Sequence, residues 1–279
     1  MIKRVIHLGD VHVPAATRRH NEYVEVLNNF LKSAEEIVSE NGKDETLILL
    51  GGDIFHNKDN ITSNQVLIIT NFLKSCDKIC KTIVITGNHD LVVNNMEKLD
   101  GLSLIFKTVD LNNSKYLDLI LDYKSGIIYD ENIAWCLYSI FDDYKKPNIL
   151  ESKIDHPDKL HIGLFHGCLD GSELDSTHVL GGLNKNMFEG CDLVLMADIH
   201  KRQFIDLSGV TLCYCGSLHQ NHFGESVSKH GFIEWNIEDP SDITYEEHDL
   251  EHLNEYGFYK FKINSIEEIE EGLEEFINF

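Results

Sequence analysis

The sequence predicts an α/β protein, a four-layer α/β/β/α sandwich of two mixed sheets carrying a short C-terminal α+β extension. Three observations predict it. The apolar runs Val5 to Leu8, Leu47 to Leu50 and Ile83 to Thr86 are separated by stretches with helical spacing, so the first ninety residues read as a parallel βαβαβ unit. From about residue 115 the pattern turns to strands with short turns, at Tyr116 to Leu121, Gly126 to Tyr129 and Ile133 to Ser139. Apolar strands then return at Ile162 to Leu164, Leu193 to Met196, Thr211 to Tyr214 and Phe232 to Ile237, enough for a second sheet packed on the first.

Between the first two strands, Tyr23, Leu27, Phe30, Ala34 and Ile37 recur at helical spacing, which predicts about four turns of helix lying on the sheet. Val66, Ile69, Leu73 and Cys76 mark the next helix, with Thr62 placed to cap it. A short helix is expected around Leu99 to Phe106. After Asp239-Pro240 the composition becomes acidic, and a strand at Phe258 to Ile263 with a helix from Ile266 onward would form the extension. The boundary is therefore drawn at 1–240 and 241–279.

At 279 residues the chain can bury a full core. No apolar run approaches the length of a membrane span, and the start of the chain lacks the pattern of a secretory signal. The seven cysteines are scattered, with no CxxC pair, as expected of reduced core residues in an intracellular protein, whether cytoplasmic, nuclear or in a viral factory. A formal charge of −23 argues against an extended basic surface for nucleic acid. Any phosphate-bearing ligand must be held by a small local patch, or with a partner's help.

Chemistry concentrates at the strand ends. Asp10 and His12 follow the first apolar run, Gly51-Gly52-Asp53 and His56 the second, and Gly87-Asn88-His89-Asp90 the third. His166 ends a later strand, and Asp198 and His200 another. Open α/β sheets bind ligands at the carboxyl ends of their strands, so these five groups should converge. Any one of them alone is weak, but together they imply a metal centre, with donors enough for two ions in carboxylate and imidazole ligation. Asp53, with two oxygens and two glycines before it, suits a bridging position. His20, His156, His161 and His178 lack this placement and read as ordinary hydrogen-bonded histidines.

In order and spacing, GDVH, GGDIFH, GNHD, FHG and ADIH resemble the calcineurin-like metallophosphoesterase superfamily. The later run from Asp198 to Gln203, then Tyr214-Cys215-Gly216-Ser217 and Phe223-Gly224-Glu225, is similar to the SbcD / Mre-eleven DNA repair nucleases, in their phage and large-virus branch. The resemblance covers roughly residues 1–240. It implies a metallophosphoesterase nuclease domain there, with a small or truncated capping-type unit in 241–279. One ion would sit among Asp10, His12, Asp53 and His200, and the other among Asp53, Asn88, His166 and Asp198. Both would be Mn²⁺ and would clamp a phosphodiester for in-line attack. His89 would protonate the leaving oxygen, and His56 would orient the phosphate or His89.

Further implications are DNA as substrate, an SbcC-like coiled-coil ABC ATPase as partner, and a homodimer through helices near 62–78 and 98–107, with no membrane involved. Lys201 and Arg202 are the expected DNA contacts. The chain departs from the family pattern at Ala197-Asp198, where Gly-His is usual. Two other readings stay open: a superfamily phosphatase acting on small phosphodiesters or phosphoproteins, and a catalytically impaired scaffold subunit.

Overall fold

The computed structural model describes residues 1–91, 100–108, 115–116, 124–250, 253–254 and 256–259. The expected strand at 258–263 and helix from 266 lie wholly or mostly outside these residues, as does most of the expected strand at 116–121.

Two six-stranded sheets face each other. The first is built from β1 (Arg4–Leu8), β2 (Thr46–Leu50), β3 (Lys81–Val84) and β4 (Lys115–Tyr116), all parallel, extended at the β1 edge by antiparallel β11 (Gly231–Asn236) and β12 (Thr244–Asp249). In the second, β6 (Ile133–Tyr138), β7 (Leu160–His166), β8 (Leu193–Ala197) and β10 (Val210–Tyr214) run parallel. Antiparallel β5 (Gly126–Tyr129) and β9 (Gln203–Leu207) close its edges.

Strand alternation sorts the apolar side chains into three cores. Ile6, Leu8, Ile48 and Leu50 face α1 (His20–Asn41), α2 (Ser63–Ile79) and α3 (Gly101–Thr108), while Val5, Leu47 and Leu49 face Trp135, Ile162 and Leu195 of the opposite sheet. On the far side of the second sheet, Phe165, Met196 and Tyr214 pack under α4 (Ile149–Asp155), Phe188 and the loop from Leu169. This gives the expected four layers, although among the described residues the outermost one is mainly loop, with one short α-helix and the 3₁₀ turn Lys185–Phe188.

Phe30 of α1 is fully buried with its ring against Phe72 and Phe232, so its truncation to Ala should cost about 3–5 kcal/mol. Thr62 caps α2 in a reciprocal box with Gln65, as its position predicted. His7 lies on the inter-sheet side of β1, fully buried with neither ring nitrogen hydrogen-bonded, and burial depresses its pKa to about 3.

β9 and β12 were not anticipated. β12 carries acidic residues on an outer strand, and its register, Thr244 opposite Asn236 to Asp249 opposite Gly231, continues the first sheet past residue 240. All seven cysteines are free thiols. Among the described residues no helix is long and apolar enough to cross a membrane.

Candidate metal centre

The loops that leave β1 and β2 stay side by side beyond the sheet. Asp10 N donates to Gly52 O at 3.1 Å, His12 N to Asp53 O at 2.8 Å and Val13 N to Ile54 O at 2.9 Å. Four of the candidate ligands hold left-handed backbone, Asp10 (φ 51°), His12 (φ 52°), Asp53 (φ 53°) and Asp198 (φ 96°), a strain of the kind that concentrates at functional sites. Space is equally tight. A Cβ on Gly52 (φ 101°) would lie 2.6 Å from Gly87 N, and one on Gly87 would lie 2.1 Å from Asp53 Oδ1. Glycine is required at both positions for β2, β3 and β7 to bring their ends together.

On one side of the centre the side chains are imidazoles. His12 Nε2 and His200 Nε2 stand 3.0 Å apart, and His12 Nε2 is 3.5 Å from Asp53 Oδ2. His200 Nδ1 is bonded to Glu225 Oε1 at 2.7 Å, which leaves Nε2 to face the centre. Burial would lower the pKa of His200, but Glu225 and Asp10 outweigh it and raise it to about 9. His89 lies with its ring edge-on to His12 at 4.9 Å, and its Nδ1 meets the His56 carbonyl at 2.6 Å. Donation to that carbonyl fixes the tautomer and leaves Nε2 as the exchangeable position.

The other side is carboxylate-rich. Asp53 Oδ1 accepts the His89 N–H at 2.7 Å and lies 3.3 Å from His166 Nε2. Burial would raise the pKa of Asp53, but His166, His12 and the His89 amide hold it below the usual carboxylate range. Asp10 is pushed up to about 7, chiefly by burial, and burial also raises Asp198. Asp198 points inward: its Oδ1 accepts from Asn88 Nδ2 at 3.2 Å and lies 3.7 Å from His166 Nε2.

These atoms fit divalent cations. His166 Nδ1 donates to the Gly51 carbonyl at 2.8 Å, so its Nε2 faces the centre, buried without a hydrogen-bond partner 3.3 Å from Asp53 and 3.7 Å from Asp198. Burial would lower its pKa, but these carboxylates raise it well above the ordinary histidine value. Asn88 Oδ1 is likewise buried without a partner. Carboxylates gathered in a buried site favour positive charge there, held as a proton on His166 or supplied by a metal cation that takes its place. Asp10, His12 and His200 converge on one candidate position, and Asp10, Asp53 and His166 on a second.

The structure thus brings together Asp10, His12, Asp53, Asn88, His89, His166, Asp198 and His200, with His56 at the margin, its ring 5.3 Å from that of His12. It does not bring Lys201 and Arg202 to them as free cations. Lys201 Nζ pairs with Glu173 at 2.7 Å, and buried Arg202 is held by Asp249 at 2.6 Å and Glu247 at 2.9 Å. The expectation of a DNA contact from Arg202 is corrected accordingly: its guanidinium ties β12 to the body of the protein.

Two residues went unassigned in the sequence reading. Glu225, in the Phe-Gly-Glu turn, orients His200. Asp90, the last residue of GNHD, is buried and accepts from Ile54 N, Phe55 N and Gly87 N at 2.8–2.9 Å. A carboxylate at the end of a ligand motif was the available signal for the second.

The family model described as calcineurin-like phosphoesterase matches residues 3–202. An uncharacterized protein of Acanthamoeba polyphaga mimivirus, R555, is 32% identical over 269 residues, which is 94% of this chain but 19% of that protein. A putative phosphoesterase of Invertebrate iridescent virus 6, 244L, is 25% identical over 80% of this chain and 72% of its own length. The uncharacterized metallophosphoesterase YhaO of Bacillus subtilis is 24% identical over 71% of this chain and 47% of its own. This chain therefore spans about a fifth of the mimivirus relative and under half of the bacterial one. Among solved structures, GAP50, described as the anchor in the inner membrane complex of Plasmodium, shares the fold, with a TM-score of 0.51 and 13% identity over 84% of this chain and 80% of its own.

Proposed function

The chain belongs to the calcineurin-like phosphoesterase family, and on that premise we propose that it is a Mn²⁺-dependent phosphodiesterase that cleaves DNA. Asp10, His12, Asp53 and His200 would hold one ion, and Asp53, Asn88, His166 and Asp198 the other. When bound, such ions supply Lewis-acid polarisation of the phosphoryl oxygens. The remaining chemistry belongs to side chains. His89, its Nδ1 fixed by the His56 carbonyl, carries a proton on Nε2 toward the departing oxygen. His56, exposed beside it, meets the substrate phosphate. The Asp53 carboxylate, bonded to the His89 amide, sets the distance between acid and ligands.

The observation that carries this reading is the placement of His89. Its Nδ1 is held by main chain, while its ring lies against those of His12 and His56, with which it forms a further candidate ligand group, beside a cluster with unpartnered ligand atoms. DNA as substrate and an SbcC-like coiled-coil ATPase as partner are supported by the resemblance of the later motifs. The charge of −23 suits a chain that depends on a partner to hold a polyanion. Homodimerisation is supported by the apolar groove between α1 and α2, of about 360 Å³, where Leu67 is 59% exposed.

The test is hydrolysis of bis-p-nitrophenyl phosphate, plasmid DNA and a phosphopeptide with Mn²⁺. Cleavage of the first two, lost in His89→Asn, is expected. Activity confined to the phosphopeptide would replace this reading with a phosphatase, and inertness with metal bound would replace it with a scaffold.

A further inference from the structure

A pocket of about 520 Å³, within the size range of small-ligand sites, opens beside the centre and shares His56 with it. Its walls include Arg18, Tyr23, Asn57, Asn60 and Asn221. Although 47 of the 279 residues are acidic, among the described residues no Asp or Glu lines this pocket. In a chain of charge −23 that makes the pocket a place where an anion touches no carboxylate directly, Glu22 behind its wall being paired with Arg19 and Glu225 with His200.

The pocket also holds the chain's available guanidinium. Of its four arginines, Arg4 is occupied by Glu234 and Asn41, Arg19 by Glu22 and two carbonyls, and Arg202 by Glu247 and Asp249. Arg18 is exposed and, among the described residues, makes no hydrogen bond or ion pair. Asn57 is oriented as a donor: its Oδ1 accepts from Ala15 N at 3.2 Å, which turns its amino group away from that contact. An unpaired guanidinium with a neutral amide donor nearby is the chemistry that recognises phosphate.

We infer that this pocket is a subsite for the phosphate next to the scissile one, with Arg18 as its binding residue, so that the preferred substrate is a polynucleotide rather than an isolated diester. The inference rests on the phosphodiesterase reading above. The loop that follows β2 makes a wall of the pocket with Asn57 and Asn60, and its His56 carbonyl also holds His89 Nδ1. A phosphate seated on Arg18 therefore presses on the element that aims the general acid. Its binding energy is expressed in kcat as well as in KM.

The experiment uses the full chain with Mn²⁺ and four substrates: bis-p-nitrophenyl phosphate, thymidylyl-thymidine, and the same dinucleoside carrying a terminal phosphate at its 5′ or its 3′ end. A terminal phosphate at one end should raise kcat/KM about ten- to a hundredfold, as one charge-assisted hydrogen bond implies, with part of the gain in kcat. Arg18→Ala should erase that gain, and Arg18→Lys should restore part of it. Calorimetric titration of a His89→Asn variant should show the same preference in binding, lost when Arg18→Ala is added.

Equal rates with and without the terminal phosphate would overturn the inference. So would an Arg18→Ala loss of the same factor on all four substrates. If no substrate is hydrolysed, the phosphodiesterase reading falls. The calorimetric arm then decides the subsite alone: an Arg18-dependent preference for the phosphorylated dinucleoside supports it, and equal affinities refute it.

Discussion

The two halves of the candidate centre are ordered by different forces. On the imidazole half, His200 and His89 are aimed by directed bonds from Nδ1, to Glu225 and to the His56 carbonyl, so the geometry is carried by neutral and paired groups. On the carboxylate half, Asp10 and Asp198 are buried close to Asp53 and are pushed toward protonation by that burial. The first half can hold its shape by itself. The second carries more negative charge than its histidines offset, and it is the half whose state depends on bound cations.

The largest effect should come from breaking the carboxylate half at its shared member. Asp53→Ala is expected to abolish metal binding and phosphoesterase activity together, whereas His89→Ala should bind metal as the parent does and lose about 10²–10⁴ in kcat. Calorimetric metal titration beside turnover measurement separates the two. If His89→Ala lost metal as completely as Asp53→Ala, the division into halves would be wrong.

Asp198 sharpens the comparison next. Asp198→Ala should weaken the second cation and lose most of the activity. Asp198→His should retain activity and move metal preference toward softer ions such as Zn²⁺. A parent-like Asp198→Ala enzyme, in both metal stoichiometry and rate, would remove Asp198 from the ligand set. On the imidazole half, Glu225→Gln should cost about 10–100-fold in metal affinity or activity, since it leaves His200 in place with a weaker acceptor on Nδ1. A loss as large as that of Asp53→Ala would show that the imidazole half depends on charge after all.

The smallest effect concerns acid sensitivity that belongs to the fold rather than to the centre. The pKa of His7 is depressed to about 3 by burial, below the 6.5 of an exposed histidine. The unfolded chain therefore takes up a proton before the folded one, and stability is lost as pH falls from 6.5 toward 3. From pH 7 to pH 5 the loss should be about 2 kcal/mol. Urea unfolding of His7→Leu at the two pH values should show that increment removed, and an unchanged pH dependence would assign it to the acidic centre instead.

Much of this was legible in the sequence because strand ends are local. An apolar run followed by Asp, His or Asn states both the element and its ligand, and Thr62 with Gln65 announces the start of α2 in four residues. What stayed hidden depends on distant partners. Thr244–Asp249 has little apolar alternation, and it is a strand because β11 pairs with it. Arg202 stands beside His200 in the chain, but Glu247 and Asp249, more than forty residues on, draw it away from the surface. Glu225 acquires its role only when the turn after β10 folds back onto His200.

Asp90 has a consequence for time rather than energy. By accepting from Ile54, Phe55 and Gly87 it links the segments that carry Asp53 and Asn88 before any cation arrives. Ligands pinned to each other in advance need no slow rearrangement when an ion enters or leaves. Metal exchange should then be governed by the ion shedding its water shell, and should be as fast in cold buffer as that step permits. Stopped-flow uptake in Asp90→Asn, where one acceptor becomes a donor, should acquire a slow second phase as the two segments search for their alignment.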